Sequence, residues 1–289
     1  MSEEIVCVAD VRAQLGEGPV WVEREQALYW TDIHGRLVFR RGFDGALTRW
    51  EAPFRIGSLQ PREEGGFIAG TDLGLALIDP ELGRFDLFAN PEPDRPTNRF
   101  NDGKVDRQGR FWAGTMDDSE KAAQGALYRI DPGLGWTRID DGYRVCNGPA
   151  FSPDGRTLYQ TDSARQVIYA FDLDETGQAT NRRDFARFEP GQGYPDGMTV
   201  DREGCLWVAF WDGWCLRRLS PEGDVISTLK VPVQRPTSCA FAGPDLDQLF
   251  ITSARVGLDE QALEGQPQAG GLFLVGPGVR GLAEKMFAG

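Results

Sequence analysis

A turn-type segment, then two large apolar residues, then small or polar ones: this pattern returns six times along the chain. The copies are EREQALYWTD (23–32), REEGGFIAGT (62–71), DRQGRFWAGT (106–115), SPDGRTLYQT (152–161), DREGCLWVAF (201–210) and GPDLDQLFIT (243–252). The first apolar residues serve as anchors: Leu28, Phe67, Phe111, Leu158, Leu206 and Leu249, at steps of 39, 44, 47, 48 and 43 residues. Six such units account for nearly all of the 289 residues. A steady period in the range of roughly 20–50 residues means that one small unit is repeated and packed against its neighbours.

Each unit reads as a meander of short strands. Before the anchors lie stretches such as GPVWV, GKVDR, GPAFS and GMTVD. After them come RLVFRRGF, GLALIDP, ALYRIDP, VIYAFDL, CLRRLSP and GLFLVGP. The anchor segments are aromatic and β-branched, with turn residues between them. Pro153-Asp154-Gly155 and Pro221-Glu222-Gly223 are tight-turn sequences. No helical period is sustained. The pattern predicts an all-β, six-bladed β-propeller with four-stranded antiparallel blades, one domain over residues 1–289. The last unit supplies only SCAFA, QLFIT and GLFLV, while IVCVAD near the N-terminus lacks a partner. It is expected to join the last blade as the outer strand and close the ring. A two-sheet sandwich would leave the regular period unexplained.

The repeat also locates a site. The innermost strand of each blade lines the central channel, so a fixed offset before each anchor marks one level of it. Ten or eleven residues back stand Glu17, Gly57, Asn101, Asn147, Asp196 and Ser238. Two carboxylates, two carboxamides and a hydroxyl would then face one axis. No Lys or Arg occupies this level, and facing carboxylates without a counter-ion repel one another. A divalent cation resolves the repulsion, and oxygen donors suit Ca²⁺, Mg²⁺, Mn²⁺ or Zn²⁺. The same sequences, Gly-Glu-Gly-Pro, Asn-Asp-Gly, Asn-Gly-Pro and Pro-Asp-Gly, are also strong turn formers. Their recurrence in phase favours the ring.

Charge and composition remove other classes. The 31 Lys+Arg stand against 44 Asp+Glu, a formal charge of −13, which repels phosphate backbones and anionic lipid. No nucleic-acid or membrane partner is expected. The acidic start MSEEIVCVAD lacks the features of a signal peptide. The five cysteines are widely spaced without a CxxC pair, so a reduced, cytoplasmic protein is expected. A closed ring needs no partner to cover its edges, which fits a monomer or weak homo-oligomer. With His34 the only histidine and no GxSxG present, multi-histidine zinc sites and the usual serine-hydrolase elbow are excluded.

LGEGPVW (15–21), NRFNDGKVDRQGRFWAGTM (98–116), NGPAFSPDG (147–155) and YPDGMTVDREGCLWVAF (194–210) resemble the regucalcin (senescence marker protein)/gluconolactonase family. The likeness continues through TSCAFAG (237–243), SARVGL (253–258) and QPQAGGLF (266–273). It implies a six-bladed propeller holding one divalent cation in its channel and hydrolysing a sugar lactone to the aldonic acid. Ca²⁺ heads the candidate ions, followed by Zn²⁺, Mn²⁺, Mg²⁺ and Fe²⁺. By resemblance Glu17, Asn147 and Asp196 are the metal ligands, Asp196 is also the catalytic base, and Arg99 and Asn101 contact substrate. Animal members carry a substrate-touching acidic residue shortly after GTM. Ungapped spacing puts Ser119 there, with Asp117 or Asp118 as alternatives.

These residue types suit the chemistry. A metal polarises a lactone carbonyl, an adjacent carboxylate takes a proton from water, and Arg99 and Asn101 offer fixed donors and an acceptor to sugar hydroxyls. Asp102 would cap its loop or orient a ligand, and it completes the substrate-side set with Asp118 and Ser119. Arg99 has a second reading as an ion-pair partner of Asp94 or Asp102. Cys146 should point away from Asn147 along a strand and is not expected to be a nucleophile. Trp211 and Trp214 are read as blade packing or as a stacking wall for a sugar face, and His34 as a surface turn or a site residue. Two other functions remain open from sequence: an organophosphate or aryl-ester hydrolase, which would need a channel histidine, and a non-enzymatic calcium-binding regulatory propeller. Specificity is expected from loops at 55–60, 117–124, 189–194 and 211–214.

Overall fold

The computed structural model of the chain describes residues 4–289. Twenty-four strands form six four-stranded antiparallel sheets. In five of them the strands follow in sequence order from the inside outward. The inner strands are Gly16–Val22, Ile56–Pro61, Asn98–Val105, Cys146–Phe151, Tyr194–Val200 and Pro236–Ala242, in blades one to six. Each touches the inner strand of the next blade, and the sixth touches the first. In blade six the outermost strand is Val6–Ala9, paired to Leu272–Val275 through Val6–Leu274 and Cys7–Phe273. The six-bladed propeller and its closure by the N-terminal strand are as read from the repeat. One short helix, Glu260–Gly265, lies in the last inter-strand connection.

The repeated turn has a physical cause. In blades three and five the residue after the inner strand is a fully buried aspartate, Asp106 or Asp201. Asp201 accepts from the backbone N–H groups of Glu203 (2.9 Å) and Cys205 (3.0 Å), from Trp207 Nε1 (3.0 Å) and from Arg218 Nε (2.8 Å). Asp106 does the same for Gln108, Arg110 and Trp112. One side chain therefore closes the hairpin and pins the aromatic residue of the anchor strand. The anchor strands themselves are buried on both faces, and their apolar side chains fill the layers between blades. That burial, at about 25 cal/mol per Å² of apolar surface, is the main force holding the ring together.

The residues after the last strand cross this turn end of the channel. Gly281 N–H donates to Leu246 O (2.7 Å), Phe287 N–H to Pro61 O (2.8 Å) and Ala288 N–H to Gly109 O (3.0 Å). Arg202 N–H donates to Arg280 O (2.8 Å), and Lys104 Nζ reaches Glu284 Oε1 at 3.2 Å. Phe287 is fully buried. The tail therefore ties blades two, three, five and six across one end, and the opposite end carries the cavity.

All five cysteines are free thiols, four of them buried. No helix among the described residues is long and apolar enough to cross a membrane.

Candidate active site

The in-phase residues lie inside the inner strands rather than in loops, each at a β-bulge. The pairing slips by one residue between Glu17 and Val20, Phe100 and Gly103, Asn147 and Ala150, and Pro195 and Met198. Similar slips occur in blades two and six. An extra residue bends a strand and re-aims its side chains. Gly18 (φ 56°) and Gly148 (φ 77°) supply the left-handed backbone directly after Glu17 and Asn147. The turn-forming sequences are thus used as turns within strands, and they aim the site.

Aspartates at the ends of second strands hold the entry to these bulges. Asp32 accepts from Gln14 N–H (2.8 Å) and Leu15 N–H (3.0 Å), just before Glu17. Asp162 accepts from Arg144 N–H (3.1 Å) and Val145 N–H (3.3 Å), just before Asn147.

At the channel mouth is a cavity of about 540 Å³ lined by Glu17, Arg99, Asn101, Asn147, Ser119 and Asp196, among others. All six ring residues are buried, and four of them, Glu17, Asn101, Asn147 and Asp196, line the cavity. Arg99 Nη1 donates to Asn101 Oδ1 (2.6 Å), Asn101 Nδ2 to Asn147 Oδ1 (2.6 Å), and Asn147 Nδ2 to Ser163 Oγ (2.8 Å). The relay fixes both amides and leaves a lone pair on Asn147 Oδ1. Glu17 Oε2 accepts from Gly18 N–H (3.0 Å). Asp196 Oδ1 is buried with no hydrogen-bond partner. Burial raises the pKa of Glu17 well above the ordinary range, and Asp196 and Asp102 add to the rise. Burial likewise raises Asp196, with Asp102 adding to it.

Among the described residues no three His, Cys, Asp or Glu side chains gather as a metal cluster. The mouth offers two carboxylates and an amide oxygen instead. An orphaned carboxylate oxygen facing a second raised carboxyl is a donor set that a hard divalent cation would satisfy.

The other candidates are placed differently. Asp118 accepts from Arg99 Nε (2.7 Å) and Arg55 Nη1 (3.0 Å) and is not among the cavity-lining residues. It is the ion-pair partner of Arg99, in place of Asp94 or Asp102. Asp102 is buried behind the wall, accepting from Gly103 N–H (2.7 Å) and Gly148 N–H (3.2 Å), and burial lifts its pKa to about 6. Asp117 holds the loop that follows it, accepting from Ser119 Oγ (2.6 Å) and Ala122 N–H (3.1 Å). Trp211 lines the cavity and Trp214 does not. Cys146 points into the core beneath Gln160, and burial drives its thiol pKa well up. His34 is exposed on the turn after Asp32; partial burial and the nearby Arg99 and Arg55 lower its pKa. It is not a lining residue. Sequence reasoning missed Glu120, Lys121, Arg144 and Tyr194 as wall residues. Glu120 and Lys121 fall within the loop flagged at 117–124 and Tyr194 at the end of the one flagged at 189–194, but nothing in the repeat singles them out.

The family model described as SMP-30/Gluconolactonase/LRE-like region matches residues 15–255. The chain belongs to this family. Among SMP-30/gluconolactonase relatives, regucalcin of Xenopus laevis is 39% identical over all of this chain and 99% of its own length. The 6-deoxy-6-sulfogluconolactonase of Pseudomonas putida is 40% identical over the full length of both. Among solved structures, the calcium-binding protein regucalcin of Agrobacterium tumefaciens superposes with a TM-score of 0.94 at 30% identity, covering 99% of this chain and 97% of that one.

Proposed function

We propose that the protein hydrolyses a sugar lactone to the aldonic acid, using a divalent cation held by Glu17, Asn147 and Asp196. The observation that carries this reading is the unpartnered Asp196 Oδ1, buried opposite Glu17 in a cavity whose wall presents Arg99 and Asn101. Family membership and the lactonase name of the Pseudomonas relative support it. The Agrobacterium structure described as a calcium-binding protein makes Ca²⁺ the first ion to test.

The cation, when bound, supplies Lewis-acid polarisation of the lactone carbonyl. The chain does the rest. Asp196 accepts a proton from the water that adds to the carbonyl carbon. It returns that proton to the ring oxygen as the acyl C–O bond breaks, giving a carboxylate and a free hydroxyl. A buried carboxylate with a raised proton affinity is a better acceptor than an exposed one. Arg99 and Asn101 orient the sugar hydroxyls, with Asp118 and Arg55 holding the Arg99 guanidinium in place. Asp102 and the Asp117–Ser119 contact act by shaping the backbone around this wall.

The test is acid release from a panel of 1,4- and 1,5-aldonolactones, with spontaneous hydrolysis subtracted. Turnover should vanish on chelation and return with metal. A second reading, cation binding without turnover, is favoured by the relatives named regucalcin. It is the reading left if no lactone is opened by the reloaded protein. The organophosphate and aryl-ester alternative loses support from His34, which lies outside the cavity lining.

A further inference from the structure

Two basic side chains stand on the six inner strands, Arg99 and Lys104, both in blade three. Arg99 belongs to the mouth, where Asp118 meets its charge. Lys104 is not among the cavity-lining residues, and its side chain is only 11% exposed. Its ammonium reaches the inner strand of blade five, where Met198 O accepts from Nζ at 3.2 Å. It also reaches the C-terminal tail at the opposite end of the channel, where Glu284 Oε1 accepts at 3.2 Å. Met198 follows the bulge that presents Asp196. The Met198 side chain lies against Gly148, the residue after Asn147: a Cβ on Gly148 would stand 2.6 Å from Met198 Cε. The Gly148 N–H in turn donates to Asp102 Oδ2 (3.2 Å), and Asp102 follows Asn101 in the bulge of blade three. Blades three, four and five are thus knotted together beneath the site. Each contributes to the knot a residue one or two places beyond a cavity side chain.

The charges around Lys104 are Glu284 and Asp102, whose carboxyl the ammonium holds lower than burial alone would. Glu17 and Asp196 in turn feel the charge of Asp102. An ammonium here eases repulsion among the carboxyls, but it also repels a divalent ion. Charge alone would make Lys104 an opponent of cation binding. Its bonds point the other way. We infer that Lys104 is a positioning residue for the cation site. By bonding Met198 O, with Glu284 as its anchor, it holds the backbone that aims Asp196 and, through Met198 and Gly148, the backbone that aims Asn147. Such a tether keeps like-charged ligands in place before the ion arrives. This inference rests on the cation reading above and adds to it a residue outside the cavity.

The test measures by titration calorimetry the Kd of the full chain for the tightest-bound of Ca²⁺, Mn²⁺ and Zn²⁺. Melting of the chelated protein checks that each variant is folded. Lys104→Met keeps the stem and removes the donors, and its Kd should rise about tenfold or more, as for other losses of a group that holds a metal ligand in place. Lys104→Arg keeps donors at similar reach and should recover most of that loss. Met198→Ala changes no charge and should raise Kd by a smaller factor, and so should Glu284→Ala. An unchanged or lower Kd in Lys104→Met means that the charge acts without positioning, and it overturns the inference. A Kd no better in Lys104→Arg than in Lys104→Met also overturns it, and an unchanged Kd in Glu284→Ala overturns the part assigned to the tail. Should Lys104→Met not fold, Met198→Ala decides, an unchanged Kd there being the overturning result. A parent protein that binds none of the three ions overturns the cation reading itself.

Discussion

Asp196 lies near the start of the inner strand of blade five and Asp201 directly after its end, five residues apart, and both are buried. Asp201 accepts four hydrogen bonds and faces a guanidinium. Asp196 keeps one oxygen without any partner and faces other carboxyls. Burial alone therefore does not distinguish a structural aspartate from a chemical one. The distinction is whether the fold has satisfied the charge or left it to be satisfied by something that binds.

The sharpest way to break this contrast is to neutralise each end. Asp196→Asn should lower kcat/KM for lactone by about a thousandfold, within the range for loss of a general base. Its chelated form should melt no lower than the chelated parent, since a repulsive carboxylate has been removed. A clear drop in melting temperature would put Asp196 in the structural class with Asp201.

Asp201→Ala should do the reverse. Two backbone N–H groups, the Trp207 N–H and part of the Arg218 pairing lose their partner, and the cost should be on the order of 3 kcal/mol in denaturant unfolding. Turnover per folded molecule should be retained. If activity falls with stability untouched, the two ends are not chemically separate.

A third test uses pH. Asp102 has its pKa raised from the ordinary 3.8 to about 6, and Glu17 and Asp196 are raised as well. In the unfolded chain these carboxyls lose their protons near pH 4. In the folded, metal-free chain they keep them longer, so between about pH 4 and 6, and beyond, the folded state binds more protons. Stability then falls as pH rises through that window. Thermal melts of chelated protein should show this decline, and Ca²⁺ should flatten it. In Asp196→Asn the slope should be shallower; an equal slope would point to other groups.

The smallest effect is expected at His34. It is exposed beside Arg99 and Arg55 but outside the cavity lining. His34→Ala should change lactone turnover by less than about threefold, and a large loss would reopen the histidine-dependent alternative.

What was legible in the chain divides along the same line. The hairpin closure by Asp106 and Asp201 is local, with the acceptor and its backbone donors within five residues, yet the sequence reads these two positions only as the start of a turn in the repeat. Glu17, Asn101, Asn147 and Asp196 could be found because the repeat turns a sequence phase into a height along the channel. Asp118 was found but in another role, since its partner Arg55 comes from the neighbouring blade across 63 residues. Arg144 and Lys121 were not found. They stand on connections between strands, where length and direction vary from blade to blade, so phase carries no information. Tyr194 ends the loop flagged at 189–194 and begins an inner strand, and only the folded channel shows that it lines the same cavity as Lys121 and Arg144.

The pairing of Val6–Ala9 with Leu272–Val275 has a consequence in time. Every other strand bonds to one made immediately before or after it. Of the described strands it is the first to be made, and its partner follows some 260 residues later. The ring therefore cannot close until the last blade has been made, and any blades folded before then form an open arc. Contacts of such sequence separation are slow to form. The last hydrogen bonds to form would join the first and last strands, and cutting a linker between two other blades while linking those two strands directly would turn the slowest step of folding into a local one.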